Sequence, residues 1–141
     1  MKHIVIGGNG FTGRCLVKDL VQQGYHVVVC DIEKSDLAIY SSAGFIRVDI
    51  ADRHSLTAIP LEPDDIVYHL AARQYHMPVP WRGRRRFFHE VNVRGTVHVL
   101  DYLEKKRSPN LIYFSTDMVY GLPRQDVLDT EHPLDPLGPY G

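Results

Sequence analysis

Apolar runs and apolar periodicities take turns along this chain. KHIVI at 2–6 is β-branched, apolar and bounded by glycine, which predicts a buried strand. Residues 11–23 place Phe11, Cys15, Leu16, Leu20 and Val21 at helical spacing, and Gly24 supplies the stop. YHVVVCD at 25–31 predicts a second buried strand, and GFIRVDI at 44–50 a shorter third one. Asp52 is placed to cap a short helix over 53–58. DDIVYHLAA at 64–72 predicts a fourth strand, and the following 73–86 reads as a loop with two prolines and a glycine. The stretch 87–106 has helical period despite Gly95, and Ser108, Pro109 and Asn110 break it. LIYFST at 111–116 predicts a fifth strand, after which periodicity fades. Strands buried on both faces and alternating with helices imply a parallel sheet with right-handed crossovers.

The chemistry is concentrated where the first strand meets the first helix. Gly7, Gly10 and Gly13 stand three apart, and this strand-to-helix context marks a dinucleotide-binding turn. Gly7 permits the tight turn, Gly10 lets backbone approach a pyrophosphate, and Gly13 lets the helix pack close to the strand. Phe11 and Thr12 would offer amides and the positive helix end to the phosphates. The alternative is a glycine turn without a ligand. Asp31, with Ile32 after it, follows Gly13 at the separation expected of a ribose-binding acid. A carboxylate there accepts from both ribose hydroxyls and repels a 2′-phosphate, which favours NAD over NADP; its alternative is a strand-end Asp capping a turn.

Composition narrows the class. An apolar content of 44% in 141 residues suits one folded core, and a net charge of −1 argues against a nucleic-acid binder. No apolar run approaches a membrane span, and MKHIVIGG lacks the apolar length of a signal peptide. Cys15 and Cys30 have no metal or redox spacing, so no metal is expected and a cytoplasmic location is.

GGNGFTG, CD at 30–31, VDI at 48–50, HLAA at 69–72, NVRGT at 92–96 and STDMVYG at 115–121 occur in this order. Together they resemble the extended short-chain dehydrogenase/reductase family, in its NAD-dependent nucleotide-sugar epimerase/dehydratase branch. The resemblance implies a doubly wound Rossmann sheet of strand order 3-2-1-4-5. Residues 1–116 would be the NAD-binding domain, and 117–141 the start of the segment carrying the catalytic Tyr. It also implies that Asp49 and Ile50 border the adenine, with the carboxylate taking the exocyclic amine. Leu70, Ala71 and Ala72 would line the cofactor, Arg73 would reach a phosphate or the ribose, and Asn92 would hydrogen-bond backbone near the site. His69 reads as structural.

Family chemistry uses a Ser or Thr, a Tyr as acid or base, and a Lys four residues after the Tyr. Thr116 and Tyr140 match the first two; the Lys would fall at 144, past the last residue of this sequence. The sequence therefore reads as cut after the fifth strand, without the substrate domain and without turnover. Asp117 matches the Thr-Asp pair of the sugar dehydratases, but Met118 stands where they carry Glu, which points towards an epimerase or a reductase. The competing reading is an NAD(P)-binding regulatory or redox-sensing module. WRGRRR at 81–86 admits three readings: a contact to substrate diphosphate, nucleic-acid binding with Trp81 stacking, or a solvated helix start. An apolar edge at 111–116 and the 87–106 helix lead us to expect self-association.

Overall fold

The computed structural model describes residues 1–35, 41–108 and 110–141. Five strands form one parallel sheet: β1 (His3–Ile6), β2 (Val27–Asp31), β3 (Gly44–Arg47), β4 (Ile66–His69) and β5 (Leu111–Tyr113). Their order is β3-β2-β1-β4-β5, the doubly wound Rossmann arrangement. β1 sits at the centre, with Ile6 in register with Cys30 on one side and His69 on the other.

Alternation along each strand feeds two cores. Val5, Val27, Val29 and Tyr68 point to one face and pack on Val17 and Leu20 of α1 (Phe11–Gln22). Ile4, Ile6, Val28, Cys30 and Val67 point to the other face. There they meet Val99, Tyr102 and Leu103 of α3 (Thr96–Lys106). Apolar strands buried on both faces are what allow parallel strands in a sheet of this kind. The topological switch lies between β1 and β4, so the crevice at their carboxyl ends is the fold's ligand position.

Several elements differ from the sequence reading. The strands are shorter than the apolar runs, and β5 stops at Tyr113, three residues before Thr116. Thr116 instead caps a 3₁₀ turn, Asp117–Tyr120, with its hydroxyl accepting from the Met118 N–H. The short helix after β3 is a 3₁₀ turn, Ser55–Ala58, and Asp52 accepts from the His54 N–H just before it. The long helix begins at Arg84, as α2 (Arg84–Phe88), and passes through a seven-residue π segment, His89–Gly95, before α3. Long aliphatic stems let arginines join a helix without any apolar period to announce them. Pro109 lies outside the described residues. No helix among the described residues is long and apolar enough to cross a membrane.

Candidate functional site at the carboxyl ends of β1 and β4

The glycine turn leaves β1 at the switch point. Gly7 adopts φ +84°, a conformation L side chains rarely take, and its N–H donates to Cys30 O at 2.8 Å. A Cβ on Gly7 would lie 2.5 Å from Ala71 N and 2.7 Å from Ala71 Cα, so this turn rests directly on the backbone leaving β4. A Cβ on Gly13 would collide with Gly7 O and lie 2.8 Å from Gly8 Cα. The missing side chain is what brings the start of α1 down onto the turn. Gly10 is the N-cap residue, with no side-chain cap. Among the described residues the N–H groups of Phe11, Thr12 and Gly13 have no acceptor. Phe11 and Thr12 are exposed, so their amides open outward with the helix dipole behind them.

Asp31 closes one side of this turn. Its Oδ2 accepts from the Asn9 N–H at 2.8 Å and its Oδ1 from the Ile32 N–H at 2.8 Å. The carboxylate therefore caps the turn and still has one lone pair on each oxygen for a second donor. Ile32 is exposed beside it. Asn9, which the sequence reading passed over, also ties its side-chain amide to Glu33 O. A polar residue inside GGNG was the available signal. Val48 N–H donates to Asp31 O, so Asp49 and Ile50 leave the sheet next to Asp31. Asp49 is exposed, with Oδ1 accepting from the Ala51 N–H. The Ile50 side chain is buried in the core, where a Cβ on Gly95 would touch it at 2.7 Å. Only the backbone of Ile50 is left to border a ligand.

On the far side of Gly7 is a cleft of about 90 Å³. Leu70, Ala71, Ala72, Asn92, Thr116 and Tyr140 line it together with His69 and Tyr113. Ligand pockets usually measure ~300–1,000 Å³, so this cleft has room for a single ring rather than for a whole dinucleotide. Tyr140 is held by ring contacts to Tyr75 at 5.8 Å and Phe88 at 5.7 Å, a support absent from the sequence reading. The Thr116 hydroxyl donates to Asp117 Oδ1 at 3.1 Å, and Asp117 itself is exposed outside the cleft.

Behind the cleft runs a polar chain. Asn92, inside the π segment, accepts from the Arg73 N–H at 2.8 Å and donates to Arg73 O at 3.0 Å, clamping the peptide that follows β4. The Arg73 guanidinium turns away from the turn: Nη1 donates to Glu90 Oε2 and Phe87 O, both at 2.9 Å, and its carbon lies 4.5 Å from the Phe87 ring centre. The expected reach of Arg73 to a phosphate is not the geometry found. Thr96 donates to Asn92 O at 2.8 Å, so it accepts from His69 Nε2 at 3.0 Å. That leaves His69 Nδ1 a buried acceptor without a partner among the described residues. Burial pulls the His69 pKa down to about 4, which keeps the ring neutral. Cys30 is buried and pushed up to about 12, so it is an inert thiol. No group of three or more His, Cys, Asp or Glu among the described residues is placed to hold a metal.

A family model described as NAD dependent epimerase/dehydratase matches residues 3–141. The chain belongs to this family. It is 31% identical over 145 residues to a UDP-glucose 4-epimerase of Lactobacillus helveticus, covering 100% of this chain and 43% of that protein. A dTDP-D-glucose 4,6-dehydratase of Homo sapiens is 30% identical over 148 residues, covering 97% of this chain and 42% of the relative. The chain thus spans less than half the length of these curated relatives. Among solved structures, UDP-glucose 4-epimerase from Brucella ovis in complex with NAD superposes with a TM-score of 0.82 at 29% identity, over 99% of this chain and 43% of the other. A short-chain dehydrogenase/reductase superfamily protein from Agrobacterium tumefaciens with bound NAD gives 0.83 at 27% identity, over 99% and 40%.

Proposed function

We propose that these 141 residues are the NAD-binding part of an enzyme that oxidises a hydroxyl of a nucleotide-sugar and reduces it again after rearrangement. One observation carries the reading. Three unpaired amides at the start of α1, a carboxylate at the end of β2 and a ring-sized cleft beside β4 all converge on Gly7. A dinucleotide has a part for each: pyrophosphate for the amides of Phe11, Thr12 and Gly13, a ribose diol for Asp31, and a nicotinamide ring for the cleft. The carboxylate of Asp31 opposes a 2′-phosphate, which selects NAD over NADP.

Bound NAD supplies the oxidant for the hydroxyl carbon. This chain's own residues position and move protons. Tyr140, braced by Tyr75 and Phe88, presents its phenol to the sugar hydroxyl as base and later as acid. The Thr116 hydroxyl already donates to Asp117, so it accepts from a substrate hydroxyl and holds the reacting oxygen beside Tyr140. Asp117 orients Thr116 in this arrangement. Residues 1–116 carry the cofactor site and 117–141 the acid/base segment. The test is thermal melting of the chain with NAD and then with UDP-glucose added. Ligand at ~100 times its dissociation constant stabilises by ~2.7 kcal/mol. NAD raises the midpoint, and UDP-glucose raises it further only when NAD is present. A midpoint indifferent to millimolar NAD rules the proposal out.

A further inference from the structure

After β5 the described residues form no regular element beyond the 3₁₀ turn at Asp117–Tyr120, yet the segment carries Tyr140 back to the cleft. Ordering such a stretch costs conformational entropy that some packed group must offset. Beyond Ser108, His132 is the single buried residue among those described. Leu122, Val127, Leu134 and Leu137 of the same segment are 69–78% exposed, so apolar side chains do not supply its core. Both nitrogens of the His132 ring have partners whose roles are fixed. Nε2 lies 3.1 Å from the Arg124 backbone nitrogen, which can only donate, so Nε2 accepts and carries no proton. Nδ1 lies 3.0 Å from Pro133 O, which can only accept, so Nδ1 carries the proton. The ring is the neutral Nδ1–H tautomer, and the Tyr120 ring meets it edge-on at 5.6 Å.

The loop that His132 fills closes on the 3₁₀ turn. The Asp135 N–H donates to Val119 O at 3.0 Å, and Gly121, at φ +69°, leaves no room for a Cβ beside Asp135 O. Farther on, a Cβ on Gly141 would lie 2.5 Å from Met118 O and 2.9 Å from Pro136 Cβ. The residue after Tyr140 is thus seated on the turn that Thr116 caps. Contacts run without a break from the His132 ring through 121–135 and the 3₁₀ turn to Thr116 and Tyr140. The titratable groups around the ring are the Tyr120 phenol on the 3₁₀ turn and, within the loop, Arg124, Asp129, Glu131 and Asp135. Asp129 accepts from the His132 N–H through its carbonyl and from the Glu131 N–H through its carboxylate. Arg124 and Asp135 pair with each other at 3.3 Å. Among the described residues no carboxylate stands at hydrogen-bond distance from either ring nitrogen to stabilise an imidazolium.

A proton on Nε2 would set one N–H against another and remove the Arg124 contact. We propose that His132 is a positioning residue: the neutral ring latches 121–135 shut and so holds Tyr140 and Thr116 at the cleft, and the protonated ring releases them. The proposal rests on the acid and base role given to Tyr140 above and adds to it a control by pH. The closed loop excludes a proton that the open loop binds, so closure is favoured as pH rises and lost as pH falls. Histidine changes charge between about pH 5 and about pH 8, which places the release in that range.

The experiment follows the full chain by NMR from about pH 7.5 to about pH 5, as wild type, His132→Gln and His132→Ala. Glutamine keeps an acceptor and a donor without a titrating group, and alanine keeps neither. In the wild type, exchange protection of the Arg124 and Asp135 amides falls roughly tenfold per pH unit below about pH 6.5, as release coupled to one proton dictates. Overhauser contacts between the Tyr140 and Phe88 rings fade with it. The Val5 amide of the central strand stays protected, which separates local release from unfolding. His132→Ala is released at every pH, and His132→Gln restores closure and removes the pH dependence. With NAD present, the further melting shift from UDP-glucose follows the same pattern, and the shift from NAD alone at a given pH is the same in all three proteins. Protection that ignores pH in the wild type, a ring found as the Nε2–H tautomer, or a His132→Gln protein that titrates like the wild type overturns the proposal. So does a His132→Ala protein that keeps Tyr140 against Phe88. Release on this schedule while UDP-glucose adds nothing at any pH supports the positioning of Tyr140 and defeats the chemistry assigned to it, so the two failures are told apart.

Discussion

Replacing Gly13 with alanine tests the contact that seats α1 on the glycine turn. The new Cβ meets only backbone: Gly7 O, Gly8 Cα at 2.8 Å and Gly8 C at 2.9 Å. No side chain can rotate away to make room. Restoring ordinary carbon contact near ~3.5 Å requires α1 to lift by about 0.7 Å. Val17 and Leu20 lie on the same helix face and are 0% and 6% exposed. Each is worth ~1.5–3 kcal/mol when fully buried, and a radial gap of ~0.5–1 Å forfeits a quarter to a half of the dispersion well. The loss is then about 1–2.5 kcal/mol, and it opposes a helix-propensity gain of at most ~1 kcal/mol for alanine over glycine. The net destabilisation is then ~0–2.5 kcal/mol, centred near ~1 kcal/mol, and at that centre the melting midpoint falls by several degrees, since ~1 kcal/mol moves a domain of this size by about 3–5 °C. Lifting α1 also displaces the amides of Phe11 and Thr12, so the stabilisation by NAD falls. Gly44→Ala is the control: its Cβ has nothing nearer than 3.7 Å and should be neutral or gain ~0.4–1 kcal/mol. Calorimetry of both variants with and without NAD decides the matter. A Gly13→Ala protein that melts like the wild type and keeps its full response to NAD refutes this account of the turn.

Asp31→Ala removes the acceptor of the Asn9 and Ile32 amides and, on the proposed function, of the ribose; NAD affinity measured by calorimetry should drop about tenfold or more, as losing a charge-assisted hydrogen bond costs ~1.5–3 kcal/mol. The gap between NAD and NADP should narrow, and a wild type that prefers NADP counts against the assignment. His69 is neutral in the fold, with a pKa near 4 against an unfolded value of 6.5. The unfolded chain therefore binds the extra proton, and stability falls as pH drops from 6.5 towards 4, by about 3 kcal/mol in total. His69→Gln should flatten that slope in melting curves between pH 7 and pH 4.5; an unchanged slope contradicts the burial argument. β5 is a sheet edge with Ile112 and Tyr113 about half exposed. Concentration-dependent association in sedimentation, reduced by Ile112→Lys, is expected, and a clean monomer at high concentration contradicts it.

The alternation of strands and helices and the glycine turn were legible because each rests on local signals: uninterrupted β-branched runs, a 3.6 period and glycines at a strand-to-helix boundary; the strand order followed from the family resemblance and not from any local signal. The site residues divide differently. Leu70, Ala71, Ala72, Asn92, Thr116 and Tyr140 were placed by motif, and all line one cleft. What escaped depended on partners distant in sequence. Arg73 is claimed by Glu90, 17 residues on, through a helix start that the arginines concealed. The Ile50 side chain goes inward because Gly95, 45 residues later, leaves it room. The π segment carries no period of its own, yet it sets where Asn92 and Thr96 stand. Thr116 left the strand because β5 ends at Tyr113 and its hydroxyl caps a turn instead.

The central claim is that the first turn of α1 holds the pyrophosphate of NAD. An amide-resolved NMR titration of the chain with NAD observes that claim directly. The Phe11, Thr12 and Gly13 signals should move together and saturate with a single dissociation constant, Asp31 and Ile32 following at the same concentration. If those amides stay still at millimolar NAD, or if the shifts gather at residues 81–86 instead, the turn is not the cofactor site.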